Sequence, residues 1–148
     1  MGRAMQSDLD AFHHLSFYTL AHGDPAFIHQ LAVDAFEAQH AESLKPIGSV
    51  FSLLGLYLHV EHRFTGKQVQ RAHMQLARVR RPWQPIVLPP DRGEVTVHHV
   101  LAAPPGPERD AAIERWSASV WKACISCRSL VADLAERELG VSPVSRPR

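Results

Sequence analysis

Ten histidines in a chain of 148 residues are the unusual feature of this sequence, and their neighbours decide which of them could do chemistry. His73 sits between Val69, Leu76 and Ala77 at helical spacing, on the side of its helix that turns to a core. His29 shares a helix side with Ala32, Val33 and Phe36, and Glu61 extends an apolar helix one turn beyond Leu58. His22 lies at a turn just before Asp24–Pro25. Desolvating such groups alone costs several kcal/mol, roughly 2–7 even for a neutral polar group, so each must be hydrogen-bonded, paired or metal-bound. If the helices bring them together, His29, Glu61 and His73, with His22 as a fourth ligand or general base, would suit Zn²⁺ or Fe²⁺ with an open position. Such an ion polarises a carbonyl or activates water, which implies a hydrolase or isomerase acting on a small molecule between the second, third and fourth helices. In that scheme His22 and Glu61 are catalytic, and Arg92 clamps an anion from a loop over the site. One shared centre requires the side-chain tips to converge within about 5 Å, given ligand bonds near 2.0–2.2 Å. The same residues also admit a metal-free general acid/base site, or hydrogen bonding that only holds the fold together.

Other suggestive spacings carry less. His59-Val-Glu61-His62 is neither His-Glu-x-x-His nor its inverse, and His59 points about 100° away from Leu58 around the helix. Cys124-Ile-Ser-Cys127 has C-x-x-C spacing, but it falls inside an expected long helix rather than at a helix N-terminus, where thiol pKa values drop. Core packing explains Cys127. The pairs His13–His14 and His98–His99, and His40, read as exposed or half-exposed. Arg78-Val-Arg80-Arg81 is a basic helix end of the kind the helix dipole favours. Arg92 has a structural alternative as well, holding its loop to a helix carboxylate.

These residues need helices to position them. The stretch Pro46–Leu76 organises the chain, because its first half is apolar on every side: Phe51, Leu54 and Leu58 on one face, Leu53, Leu56 and Val60 on the other. A helix apolar all round is buried in the middle of a fold. Ser7 as N-cap, Gly23 as stop, Asp24–Pro25 as start and a Thr65–Gln68 capping box place the boundaries. The expected helices are 8–21, 25–42, 46–63, 66–80, 96–103 and 108–139. Arg81–Glu94 holds four prolines and is expected as an ordered loop, packed by Trp83, Ile86 and Leu88. No segment alternates with period two. The fold class is therefore all-α: a single-domain bundle of about five to six helices over 1–148, with 1–7 and 141–148 as frayed tails.

Composition bounds the function classes. Hydrophobic residues at 45% and charged residues at 21% fit a soluble globular domain. A net charge of +1 argues against a broad nucleic-acid surface. The N-terminus lacks the apolar core of a signal peptide, and the run Ile47–Val60 is shorter than the roughly 20 residues a membrane helix needs. A cytoplasmic location with reduced cysteines is the expectation.

Several long motifs match a known pattern together: TLAHGDPAFIHQLAVDAF, KPIGSVFSLLGLYLHVE, TGKQVQRAHMQLARVRRPW and LPPDRGEVTVHHVLAAPPGPERDAAIERW. Over roughly Phe12–Trp121 the chain resembles a bacterial family of small single-domain proteins of unknown function. The residues that carry the resemblance are His22, Phe27–Gln30, Asp34, Lys45–Ile47, Val60–Glu61, Gln68–Gln70, His73–Met74, Arg92–Gly93 and Thr96–Val97. Cys124 and Cys127 depart from that pattern. The resemblance implies no activity or cofactor. Beside the enzyme stands a second reading: a non-enzymatic module that binds a partner protein or a second copy of itself. Its support is the apolar loop Trp83–Leu88 and Trp121, which is about 140° from the inward face of its helix and so expected at the surface.

Overall fold

Helix α3 (Ile47–His62) is the axis of the molecule, and its sequence explains why. With apolar residues on every side it can only be accommodated by neighbours all round, and Leu53, Leu54, Leu56, Tyr57 and Leu58 are all buried. The computed structural model describes residues 3–22, 26–43, 45, 47–79 and 82–143. Against α3 it packs α2 (His29–Gln39), α4 (Gly66–Ala77), α6 (Pro107–Ala123) and α7 (Arg128–Leu139), while α1 (Arg3–Ala21) and α5 (Val97–Ala102) pack on each other, α1 also on α2 and α5 also on α6. The class is all-α. Among the described residues there is no strand, and there are seven α-helices where five to six were expected.

The extra helix comes from a break in the expected span 108–139. The turn Ile125–Cys127 is 3₁₀, closed by the Cys127 N–H donating to the Cys124 carbonyl at 2.9 Å. Tightening to three residues per turn shifts the helical phase of every residue beyond it. Beyond the turn Leu130 is 51% exposed, while Val131 and Leu134 are buried. Trp121 corrects the surface expectation: it is 2% exposed. Its helix is covered on more than one side by α2, α3 and α5, and its ring lies 5.7 Å from Tyr57.

Local geometry brings smaller corrections. Helix α1 starts at Arg3, so Ser7 lies inside it rather than capping it, and Leu20 faces solvent. Phe27 has φ +56°, which no right-handed helix accommodates, so α2 begins only after it. The stop at Gly23, the start at Asp24–Pro25, the break at Leu44 and Pro46, and Arg80–Arg81 lie outside the described residues, as does most of the tail. The capping box of α4 is present: the Gln68 N–H donates to Thr65 Oγ1 at 3.2 Å, and the Thr65 N–H to Gln68 Oε1 at 2.8 Å. Gly66 is required there because a Cβ would come within 1.9 Å of the Phe27 carbonyl oxygen. The proline-rich loop packs on the bundle through buried Ile86 and Leu88, and the Ile86 N–H donates to Ser49 Oγ at 2.9 Å.

Candidate functional site

One face of α2 carries Gln30, Asp34 and Glu37 towards α3 and α4, at the i, i+4, i+7 spacing that aligns side chains on a helix. A carboxylate on such a face demands room. Gly55 of α3 provides it: a Cβ there would stand 2.6 Å from Asp34 Cγ and 3.1 Å from His73 Nε2. Asp34 is 1% exposed, and its Oδ2 has no hydrogen-bond partner among the described residues. Its Oδ1 accepts from the Gln30 side-chain amide at 3.2 Å. The same amide nitrogen faces His73 Nδ1 at 3.3 Å, and His73 Nε2 lies 2.9 Å from the Phe51 carbonyl.

These partners assign the proton on His73. A carbonyl oxygen can only accept, so Nε2 carries the hydrogen and Nδ1 offers its lone pair to Gln30. The imidazole is neutral, and burial pushes its pKa down to about 4, against a weaker upward pull from the Phe51 bond. Burial drives Asp34 the other way, well above the usual carboxylate range, and the nearby charge of Glu37 adds to it. The Asp34 Oδ1–His73 Nε2 separation of 3.7 Å falls within ion-pair range. Because burial disfavours both charges, we read it as a neutral acid beside a neutral base. Asp34 is enclosed, whereas 15% of the His73 side chain is exposed, so solvent reaches the centre from the His73 side.

The other expected site residues occupy separate settings. His29 Nδ1 lies 2.8 Å from Thr19 Oγ1 of α1, and burial lowers its pKa. His22 Nε2 lies 3.0 Å from Asp110 Oδ2, its ring stacked on Tyr18. Glu61 accepts from Trp121 Nε1 at 2.8 Å and from Arg128 Nε at 2.8 Å. Arg92 donates to the Ala38 carbonyl at 3.0 Å and pairs with Glu42, just beyond α2. Of the four expected metal ligands only His73 belongs to the Asp34 centre. Among the described residues no group of three or more His, Cys, Asp or Glu side chains could hold a metal ion.

Some of the remaining histidines pin elements together and others bond locally. His40 and His98 reach the two oxygens of Asp8, at 2.9 and 2.7 Å, which ties α1 to the end of α2 and to α5. His62 Nε2 meets the Tyr57 hydroxyl at 2.9 Å, and His99 Nδ1 accepts the Thr96 N–H at 3.0 Å. His13 and His14 are exposed. Both cysteines are free and buried, and burial lifts the Cys124 thiol to about 11, which suits packing rather than thiolate chemistry.

Hydrophobic pattern alone did not reveal Asp34 or Gln30, since an acidic and an amide residue on a helix normally read as a solvated face. Both do lie among the residues that carry the family resemblance, together with His73. The chain belongs to a family of unknown function, DUF5946, whose model matches residues 9–125. No curated protein and no solved structure matches it.

Proposed function

We propose that this protein acts on a small molecule through a metal-free acid–base centre formed by Asp34, Gln30 and His73. The observation that supports it is Asp34: a carboxyl group buried in a bundle core with one oxygen unpartnered, beside an imidazole of fixed tautomer. Leaving a buried polar atom unsatisfied costs about 1–3 kcal/mol, which a purely structural aspartate has no reason to bear. Protonated Asp34 is the acid and neutral His73 the base. Gln30 bridges them through one amide nitrogen and is the positioning residue. Perturbed carboxyl–imidazole pairs of this kind mark functional sites more often than chance would give.

A divalent ion, expected at His22, His29, Glu61 and His73, is less well served here, because of those four only His73 belongs to the Asp34 centre. His73 Nδ1 faces only the neutral Gln30 amide at 3.3 Å, a contact that a proton arriving at the base displaces. The test has two arms. Carboxyl-labelled protein is titrated by NMR, where Asp34 should remain protonated well above the ordinary carboxylate range. A small-molecule fragment library is then screened on histidine-labelled protein, where hits should move the His73 resonance and be lost in Asp34→Asn. Asp34 titrating near 3.8, with no fragment acting at His73, would overturn the proposal.

A second reading, self-association, is favoured by one surface. Val87 is 90% exposed, and Ile125 and Leu130 are exposed nearby, where Cys127 Sγ meets the Val87 carbonyl at 3.6 Å. Beside them runs a groove of about 380 Å³ lined by Trp83, Pro85, Ile86, Leu130 and Leu134. Contiguous exposed apolar surface of this kind marks association sites. Sedimentation velocity of the wild type and Leu130→Glu checks it: a dimer converted to monomer supports it, and a wild-type monomer at high concentration sinks it.

A further inference from the structure

A second polar site lies away from Asp34, between the C-terminal end of α3 and the middle of α6. It is a surface groove of about 510 Å³ lined by His59, Val60, Arg63, Glu114, Arg115 and Ala118. His59 is the fixed point of its geometry. Its Nδ1 lies 2.7 Å from the Phe64 carbonyl and its Nε2 2.5 Å from Glu114 Oε2. Both ring nitrogens thus face acceptors, and a single ring proton satisfies only one of them. Two acceptors favour a protonated ring: burial opposes the charge, but the bonds to Glu114 and Phe64 outweigh it and raise the pKa. Glu114 is committed to His59, so its charge is neutralised locally.

The two arginines have no such commitment. Arg128 pairs with Glu61 and Arg92 with Glu42, but neither Arg63 nor Arg115 has an ion pair among the described residues. Arg63 is also the residue that closes α3. Its φ is +59°, and the following Phe64 N–H donates to the Leu58 carbonyl at 3.0 Å, the closure in which glycine is usual. A non-glycine residue there is uncommon. The His59–Phe64 bond fixes this turn and so fixes where the Arg63 side chain leaves the backbone. Two guanidiniums carry two full positive charges into the groove, against about half a negative charge from the α3 C-terminus.

We propose that this groove binds the phosphate group of a small phosphorylated molecule, with Arg63 and Arg115 as the donors and His59 as the residue that positions the turn. Guanidinium groups suit phosphate because their paired N–H donors match its oxygens. Val60 and Ala118 leave an apolar floor for the rest of the ligand.

The test is titration of the full chain at low salt with inorganic phosphate and with a nucleoside monophosphate, followed by amide NMR. Both should give saturable shifts centred on residues 59–64 and 114–118, with the nucleotide binding more tightly because it also covers the floor. Arg63→Gly keeps the turn, since glycine adopts it without strain, and Arg115→Ala leaves a helix intact. Each should weaken phosphate binding by about tenfold, the loss of one charge-assisted contact. Arg71→Ala, an exposed arginine on α4, is the control and should change nothing. Absence of saturation in the wild type, or equal affinity in the Arg63 and Arg115 variants, overturns the proposal. Neither outcome bears on the Asp34 centre.

Discussion

Asp34 Oδ2 occupies the space that a β-carbon on Gly55 would need: the added atom would come within 1.9 Å of it. The two helices approach this closely only because α3 has no side chain at that position. Gly55→Ala therefore sets two effects against each other. Alanine gains about 1 kcal/mol of helix propensity over glycine, whereas forcing extra volume into a packed core costs typically about 1–3 kcal/mol. Asp34 is enclosed and cannot swing aside, so the clash should win and the variant should lose stability in urea denaturation. Asp34→Ala in the same chain should recover most of the loss. A Gly55→Ala protein more stable than wild type would mean that the carboxyl does not sit there.

Asp34 and His73 should also leave opposite marks on the pH dependence of stability. Asp34 keeps its proton in the fold at pH values where the unfolded chain, with an ordinary value of 3.8, has lost it. Its contribution is complete below 3.8 and is lost as pH rises towards its own raised pKa. His73 stays neutral in the fold down to about 4, while in the unfolded chain it protonates near 6.5. Its contribution is complete above 6.5 and is lost as pH falls to about 4. Between these values the two slopes oppose, each up to about 1.4 kcal/mol per pH unit. Relative to wild type, Asp34→Asn should grow more stable from about pH 4 to 6.5, and His73→Gln less stable. Urea midpoints across that range read both, and parallel curves for all three proteins would refute the assigned protonation states.

Much of the fold could be read from the sequence, because the decisive signals were local or strongly periodic. The all-round apolar run 47–60, the Thr65–Gln68 box and the buried Ile86 and Leu88 arise from patterns within a few residues. The features that escaped depend on contacts between distant segments. Trp121 is buried by the helices packed around α6, and Glu61, sixty residues earlier, satisfies its indole N–H. The 3₁₀ turn at Ile125–Cys127 has no proline or glycine to announce it. At the candidate site His73 was recognisable from its apolar neighbours, whereas Asp34 was not, because its burial depends on the absent side chain of Gly55 in another helix. Glu61 was found as a buried carboxylate, but its partners are Trp121 and Arg128 rather than histidines.

The organising role of α3 has its own measurement. Leu58 is 0% exposed, so Leu58→Ala should cost about 2–5 kcal/mol through lost transfer energy and the cavity left behind. A loss below about 1 kcal/mol would make α3 peripheral.

Glu61 should behave as a structural hub. It accepts from Trp121 Nε1 and from Arg128 Nε and Nη2, joining α3 to α6 and α7. Glu61→Ala leaves a buried indole N–H without that acceptor, at about 1–3 kcal/mol. In a double-mutant cycle with Arg128→Ala, part of that cost should disappear, since the two side chains share one interaction. Additive losses would show that the ion pair contributes nothing.

The choice between a metal-free centre and a shared metal site comes down to whether His22, His29 and His73 respond together. In the structure they do not share a partner: His22 faces Asp110, His29 faces Thr19, and His73 faces Gln30 and Phe51. Protein purified without a histidine tag should therefore contain no stoichiometric zinc or iron by elemental analysis, and a chelator should leave its melting temperature unchanged. His22→Ala and His29→Ala should leave the carboxyl titration of Asp34 where it is. His73→Ala should move it, because removing the imidazole opens the Asp34 pocket to water and relieves the burial that keeps the proton on. One equivalent of metal, lost on replacing either His29 or His73, would instead mean that helices α2 and α4 rearrange around an ion, and the acid–base assignment would fall.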